Sequence, residues 1–256
     1  MKPRSYVLHE ANYHQLLEYR PNVAVLPWGA TEAHNHHMPH GTDVVEATEI
    51  AIAAAERAVS QGARPIVLPT IPFGNNAQQL DQVATIHCST ATATAILHDV
   101  CTSLKAQGID RLVIVNAHGG NEFKPLIRDA QQAHDMLIVR VNFFELVADV
   151  TRQTVEHPGD HADEMETSVL LHLQPDWVVM EQAGEGGRVP FAIEGLDQAG
   201  VWTPRPWSAS CPDTGCGDPR QATAEKGRVI FDAAAQRCAE VLVGLSQAQR
   251  GQLPYV

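Results

Sequence analysis

Short apolar runs rich in β-branched residues alternate with longer helix-forming segments through much of the chain. Such runs are typical of strands buried on both faces of a parallel sheet, and they occupy residues 23–27, 65–69, 112–116 and 137–141. Helical patterns cover residues 43–60, 90–107, 122–134, about 163–173 and about 221–247. This alternation predicts right-handed crossovers and an α/β fold with a mostly parallel sheet.

Turn and cap residues refine these boundaries. Asp43, followed by Glu46 three residues later, resembles a capping pair at the start of the first long helix, and Gly62 fits its end. Asn121 is predicted to cap the helix at 122–134.

Residues 175–219 are rich in Gly, Pro and Trp and show little periodicity, so we expect long loops there. A loop of that length is usually functional or part of an oligomer contact. Trp202 and Trp207, within this segment, are compatible with a pocket wall, a subunit interface or simple packing.

Composition narrows the class of protein. A length of 256 residues with 44% hydrophobic residues supports a real core and one domain spanning residues 1–256. A net charge of −12 disfavours binding to nucleic acid or to an anionic membrane, and no apolar run approaches a membrane span. The beginning of the chain lacks a signal-peptide core, and its five cysteines are an odd number widely spread. We therefore expect a cytoplasmic protein.

Histidine is unusually abundant in this acidic chain, and its positions point to a function. Four of its 13 histidines, namely His34, His36, His37 and His40, fall within seven residues. Imidazoles and carboxylates together are the ligands of borderline divalent metals, so the cluster suggests a metal site.

The first candidate cluster directly follows the first predicted strand. Ligands of open α/β sheets bind beyond the carboxyl ends of the strands. Glu32 and His34 alternate with Ala33, so an extended segment would point both to one face, and Asp43 lies just ahead of a helix. Each residue alone fits an ordinary loop or cap, but the three together favour a site.

Two further clusters fit the same edge. His118 and two glycines follow the most apolar strand, which presents this histidine beside Glu32 and His34. His161 and Glu166 stand at the start of a helix, where acidic residues are also common for helix-dipole reasons, so that explanation stays open. These residue types suggest a two-metal hydrolase in which Asp43 bridges cations roughly 3.5–4 Å apart and His161 carries a proton to the leaving group.

The three clusters, in this order, resemble the creatininase (creatinine amidohydrolase) family. The family pattern G-x-T-E-x-H-G-x-H-L-P-x-G-T-D corresponds here to Gly29-Ala-Thr-Glu-Ala-His-Asn-His-His-Met-Pro-His-Gly-Thr-Asp43. The later motifs correspond to Asn116-Ala-His-Gly-Gly-Asn121, His161-Ala-Asp-Glu-Met-Glu-Thr-Ser168 and Gly217-Asp-Pro-Arg-Gln-Ala-Thr-Ala-Glu-Lys-Gly227. The similarity covers nearly the whole chain, and the combination is specific although each motif alone is weak.

The resemblance implies a three-layer α/β/α sandwich with two divalent ions, Zn or Mn, in each chain. It implies metal ligands at Glu32, His34, Asp43, His118 and Glu166, a catalytic His161 with the acidic Asp160 beside it, and a homo-oligomer, commonly a hexamer. His37 also matches the pattern and is expected to support the ligands.

Departures from the family pattern bear on the ligand set and the substrate. Creatininase uses an acidic ligand two positions after the equivalent of His118; Gly120 stands there in this chain, so Glu166 takes the role. Its Trp-Asp pair before the catalytic histidine is replaced by His157 and Pro158, so creatinine is not the expected substrate.

Additional polar residues surround the motifs and are candidates for substrate contacts. The polar candidates are His36, His40, Asn75, Asn76 and Asp81, and they suit a polyhydroxylated ligand as well as they suit chance variation at the surface. Gly119 is a further candidate, since a glycine lets the backbone approach a ligand closely.

The function that the residues and the resemblance imply is hydrolysis of a C–N bond in a small cyclic polar compound. Hydrolytic C–C ring opening of a cyclic polyol ketone, such as an oxidised inositol, stays an alternative, as does a non-catalytic small-molecule binder. A Rossmann-type redox protein lacks support, since no G-x-G-x-x-G follows the first strand.

Overall fold

Four parallel strands carry the candidate site at their carboxyl ends. In this computed structural model, which describes residues 3–249 and 254–255, they are β1 (Val23–Trp28), β2 (Pro65–Val67), β3 (Arg111–Asn116) and β4 (Leu137–Asn142), in the sheet order β2-β1-β3-β4. Trp28 pairs with Asn116, and Asn116 pairs with Asn142. Three strands therefore end level with one another. The expectation of one domain over 1–256 also includes positions outside the described residues.

Helices cover both faces of this sheet. They are α1 (Tyr13–Tyr19), α2 (Thr42–Ser60), α3 (Thr90–Ala106), α4 (Lys124–His134), α5 (Phe143–Leu146), α6 (Ala148–Thr154), α7 (Glu164–Leu173), α8 (Trp207–Ser210) and α9 (Ala224–Gln247). None of the described helices combines the length and the apolar composition needed to cross a bilayer.

Alternation along the strands divides the core into two layers. Val23 and Val25 of β1 pack in one cluster with α2 and α9, whereas Ala24 and Leu26 pack in the other with α3 and α4. Successive side chains of a strand point to opposite faces, so continuous apolar runs are what a sheet covered on both sides requires. The predicted three-layer α/β/α fold is confirmed.

The predicted boundaries of strands and long helices hold within a few residues, but two predicted caps are wrong. Helix α2 begins at Thr42 after Gly41, which provides no side-chain cap, so Asp43 lies inside the first turn. Asn121 does not cap α4, which begins at Lys124 without a side-chain cap. Both side chains instead point toward the sheet edge, where Asp43 approaches imidazoles and Asn121 contacts the β1 and β3 loops.

The C-terminal helix fixes the position of the helix that carries Glu166. A Cβ atom added to Gly227 of α9 would overlap the carbonyl oxygen of Ser168 in α7, so the two backbones are in direct contact. Thr223 caps α9 by accepting a hydrogen bond from the Lys226 N–H. The Lys226 Nζ in turn lies 2.6 Å from the buried Glu164 carboxylate of α7.

This contact predicts different results for two glycines of one helix. Gly227→Ala should lower the free energy of unfolding by about 2 kcal/mol, because α7 and α9 must separate. Gly244→Ala is the matched control, since a Cβ atom there meets nothing within 4 Å, and it should be neutral or stabilising by up to about 1 kcal/mol. Urea unfolding followed by circular dichroism measures both. Equal effects of the two substitutions would contradict the close α7–α9 contact.

Candidate metal centre

The loop after β1 delivers two buried side chains to one place. Glu32 is 1% exposed and His34 is fully buried, and both belong to one group of possible metal ligands together with His161. Asn35 then adopts a left-handed conformation with φ of 52°, which turns the chain back toward α2. Asp43 enters the site from the first turn of that helix.

Six side chains form three overlapping groups, each with ligand atoms within 4.8 Å of one another. The groups are Glu32–His34–His161, Glu32–Asp43–His118 and His34–Asp43–Glu166. The Asp43 Oδ1 atom lies 2.8 Å from His34 Nε2, and its Oδ2 atom lies 3.1 Å from His118 Nδ1. The His118 Nδ1 atom also lies 2.9 Å from Glu32 Oε1. Asp43 thus stands between the two histidines, and the structure brings all five residues predicted as ligands together.

Backbone carbonyls orient the three imidazoles. His34 Nδ1 is 3.1 Å from the Glu32 carbonyl, His118 Nε2 is 3.3 Å from the Asn75 carbonyl, and His161 Nε2 is 2.7 Å from the Ala33 carbonyl. A carbonyl can only accept, so each of these nitrogens donates, and the opposite nitrogen of each ring faces the carboxylates. Metal-binding histidines are commonly held in this way.

The donor set fits divalent cations. A neutral imidazole lone pair directed at a carboxylate repels it unless a proton or a metal ion lies between them. Four buried atoms of the cluster make no hydrogen bond to any described group outside it: Glu32 Oε2, His34 Nε2 and both carboxylate oxygens of Asp43. Mixed imidazole and carboxylate ligands suit Zn²⁺ and Mn²⁺.

Without metal, protons fill this role. Burial lowers the pKa of His34, but Asp43 outweighs it and raises the pKa to about 10. Burial also opposes a charge on His118, yet Glu32 and Asp43 raise its pKa well above the usual range. Burial raises the pKa of Asp43, but the two imidazoles outweigh it and hold that pKa below the ordinary value. Metal ions must therefore compete with protons for these side chains.

Unlike His34 and His118, Glu166 and His161 have pKa shifts that favour their neutral forms. Burial, with Asp43 and Asp163 nearby, raises the pKa of Glu166 to about 8 in the metal-free chain. Burial and the neighbouring His34 lower the pKa of His161, so the imidazole is neutral at neutral pH. His161 can accept a proton where His34 and His118 are already protonated.

Some of the acidic residues at the start of α7 stabilise the helix itself, which is the alternative explanation for them. Asp163 caps the helix by accepting hydrogen bonds from the N–H groups of Met165 and Glu166, and Glu164 pairs with Lys226. Glu166, one turn into the helix, faces the cluster instead. His37 Nε2 lies 2.9 Å from the hydroxyl of Thr167, so it supports the same helix.

Gly120 is too closely packed to carry an acidic side chain in this arrangement. A Cβ atom built on it would overlap Nε2 of His118 and would lie 2.6 Å from the Asn75 carbonyl oxygen. This loop therefore holds His118 by close packing, and Glu166 of α7 is an acidic side chain that the structure does place in the cluster.

The Asp160 side chain pairs with an arginine. Its side chain is 57% exposed and forms a 2.6 Å ion pair with Arg205.

One of the residues predicted to contact substrate has a structural role instead. Asn76 is fully buried, and its amide donates to the carbonyls of Thr31 and Ile86, so it braces the loop.

The other candidates for substrate contacts lie nearer the surface. His40 contacts the Val83 carbonyl at 3.0 Å, His36 and Asp81 are exposed, and the Asn75 side chain lies 3.4 Å from the Thr90 hydroxyl. Gly119 lines a cavity of about 160 Å³ together with Glu166 and Asp160.

Trp207 contacts His161 in a way that sequence reasoning did not single out. The two rings are 5.2 Å apart and nearly perpendicular, and the indole N–H donates to the Thr214 carbonyl. The Arg205 guanidinium also lies over the Trp207 ring, 4.4 Å from its centre. Nothing in the irregular 175–219 segment signals this packing, because it has no periodicity that relates position to direction.

Comparison with known proteins adds the evolutionary context. The family model described as creatininase, creatinine amidohydrolase, matches residues 9–242. A Mycobacterium tuberculosis protein named mycofactocin precursor peptide peptidase is 32% identical over 242 residues, covering 90% of this chain and 88% of that protein. Creatinine amidohydrolase of Pseudomonas putida is 28% identical, covering 86% of this chain and 88% of that protein.

A more distant relative is named for a different substrate. The 3-dehydro-scyllo-inosose hydrolase of Thermotoga maritima is 25% identical, covering 72% of this chain and 61% of that protein. The names of all three relatives describe hydrolases.

Solved structures agree with this assignment. A creatinine amidohydrolase candidate from Bacteroides fragilis superposes with a TM-score of 0.90 at 39% identity, covering 96% of this chain and 98% of that chain. Creatininase structures described as Mn and Zn–Zn forms have TM-scores of 0.78 and 0.77 at 23% identity and show the same fold. With a family model that matches most of its length, the chain is a member of the creatininase family and a metal-dependent hydrolase.

Proposed function

We propose that this hydrolase cleaves an amide C–N bond with two divalent ions, Zn²⁺ or Mn²⁺, held by five residues of the cluster: Glu32, His34, Asp43, His118 and Glu166. The observation that carries the proposal is the position of Asp43, whose two oxygens approach different histidines and which belongs to two of the three ligand groups. A carboxylate so placed can bridge two ions. His34 and Glu166 would complete one side, and Glu32 and His118 the other.

The bound ions would polarise the substrate carbonyl and lower the pKa of an attacking water molecule. His161 is assigned the proton transfer. Its Nε2 atom is held by the Ala33 carbonyl, its Nδ1 atom lies 3.7 Å from Glu32 Oε1, and Trp207 packs against the ring. A neutral imidazole held in this orientation can take a proton and return it to the departing nitrogen.

The choice of a C–N bond rests on the relatives of higher identity. Peptides and creatinine, which appear in the names of two of them, both contain amide bonds. Ring opening of an oxidised inositol is the second candidate, supported by the name of the Thermotoga maritima relative. Creatinine stays an unexpected substrate, because His157 and Pro158 replace the Trp-Asp pair. A homo-oligomer, hexameric by family resemblance, also stays a prediction.

The bridging role gives the first prediction for this site. Asp43→Asn should lower the metal content and reduce kcat/KM by about 10³-fold or more, equivalent to about 4 kcal/mol, because both ions lose a charged ligand. The assay compares a short peptide, creatinine and an oxidised inositol on the metal-loaded enzyme, with metal measured by elemental analysis.

Asp129→Asn is the control for this substitution, since it makes the same chemical change on an exposed position of α4. It should leave the metal content and the rate unchanged. Wild-type metal content and turnover in Asp43→Asn would refute the bridging role.

The protonation of the metal-free cluster gives the second prediction. His34 and His118 have raised pKa values and hold protons that a metal ion must displace, so the affinity for Zn²⁺ should rise with pH. At pH values below the His34 pKa of about 10, the affinity for Zn²⁺ should rise by up to about tenfold per pH unit for each proton that the metal displaces. Calorimetric titration in buffers of different ionisation enthalpy counts the protons. An affinity that does not change between about pH 6 and 8.5 would contradict this account.

A further inference from the structure

A second, larger cavity adjoins the small cavity at the metal centre. It encloses about 620 Å³, whereas the one beside Glu166 encloses about 160 Å³. Asp160 lines both, so they meet at this residue. Ligand cavities in proteins commonly enclose about 300–1,000 Å³, and the smaller space holds little beyond the reacting group itself. The larger cavity has the size to receive the rest of a substrate.

The wall of this larger cavity carries four charged side chains, of which two form an ion pair with each other. Arg205 and Asp160 form a 2.6 Å ion pair and neutralise each other. Arg188 and Asp197 are exposed, and neither makes a hydrogen bond or ion pair with another residue in the part of the chain that the structure describes. The cavity therefore offers one cationic donor and one anionic acceptor to a ligand.

Aromatic rings line the same space. The Arg188 guanidinium lies 5.4 Å from the centre of the Phe191 ring, which holds the cation at the wall. Trp202 is 81% exposed although it lines a cavity, and Val201 beside it is 47% exposed. A ligand ring placed between these side chains would remove apolar surface from water.

We propose that this cavity is a specificity site for an acylated amino acid group with a large apolar or aromatic side chain. The Arg188 guanidinium binds its carboxylate, Asp197 accepts from its amide N–H, and Phe191 and Trp202 hold the side chain. The inference rests on the proposed function, because it places the scissile bond at the metal centre beyond Asp160. It deepens that function by favouring an open-chain substrate with two recognised groups over a small cyclic compound.

The experiment measures binding to the metal-loaded enzyme, without turnover, by ligand-observed NMR titration. The probes are N-acetylphenylalanine, N-acetylphenylalaninamide, which lacks the carboxylate, and N-acetylglycine, which lacks the ring. We expect N-acetylphenylalanine to bind about tenfold more tightly than either of the others, since a charge-assisted contact or a buried ring each contributes about this much.

Single substitutions test which side chains cause the tighter binding of N-acetylphenylalanine. Arg188→Leu should weaken binding of N-acetylphenylalanine about tenfold and leave the amide unchanged, whereas Trp202→Ala should weaken both. Arg152→Leu, an exposed arginine of α6, is the matched control and should bind all three probes as the wild type does. Equal binding of acid and amide by the wild type, or an unchanged Arg188→Leu variant, would overturn the assignment.

Two further outcomes are informative. If Trp202→Ala alters the oligomeric mass and leaves binding of the probes unchanged, the surface is a contact between copies of this chain and the proposal is wrong. Because binding is measured separately from hydrolysis, an enzyme that binds N-acetylphenylalanine through Arg188 but cleaves no amide would keep this inference and refute the proposed reaction.

Discussion

Imidazole lone pairs directed at buried carboxylates are the constraint on which this structure depends. Glu32, Asp43, His34 and His118 are each less than a tenth exposed, and their polar atoms face one another rather than solvent. Such an arrangement is stable only with cations in it, either protons or metal ions. The raised pKa values of the two histidines describe the proton-filled form, and the donor chemistry describes the metal-filled form.

The fold keeps this cluster together through backbone contacts more than through side chains. The level ends of β1, β3 and β4 bring their loops to one edge, and backbone carbonyls fix one nitrogen of each imidazole. A Cβ atom on Gly29 would lie 2.7 Å from the backbone of Asp43, so the β1 loop and α2 are in contact where Asp43 enters the cluster. The ligand positions are thus consequences of strand register and of close backbone approach.

Sequence patterns predicted the sheet, its long helices and the proximity of the ligand-type residues. They succeeded because apolar periodicity determines which residues are buried, and because parallel strands place their carboxyl ends on one side. The caps predicted at Asp43 and Asn121 were wrong, since both residue types suit a cap or a site and local sequence does not distinguish the two. The Trp207–His161 contact and the cavity with Arg188 lie in the irregular segment, where only tertiary packing determines direction.

The central claim, that two cations complete the cluster, is tested most directly by anomalous X-ray diffraction from crystals of the metal-loaded enzyme, with elemental analysis of the same sample. Two anomalous peaks per chain on either side of the Asp43 carboxylate, and loss of activity with chelator, are the predicted result. A single peak that Asp43 does not touch, or full activity in a chelated sample without metal, would contradict the account.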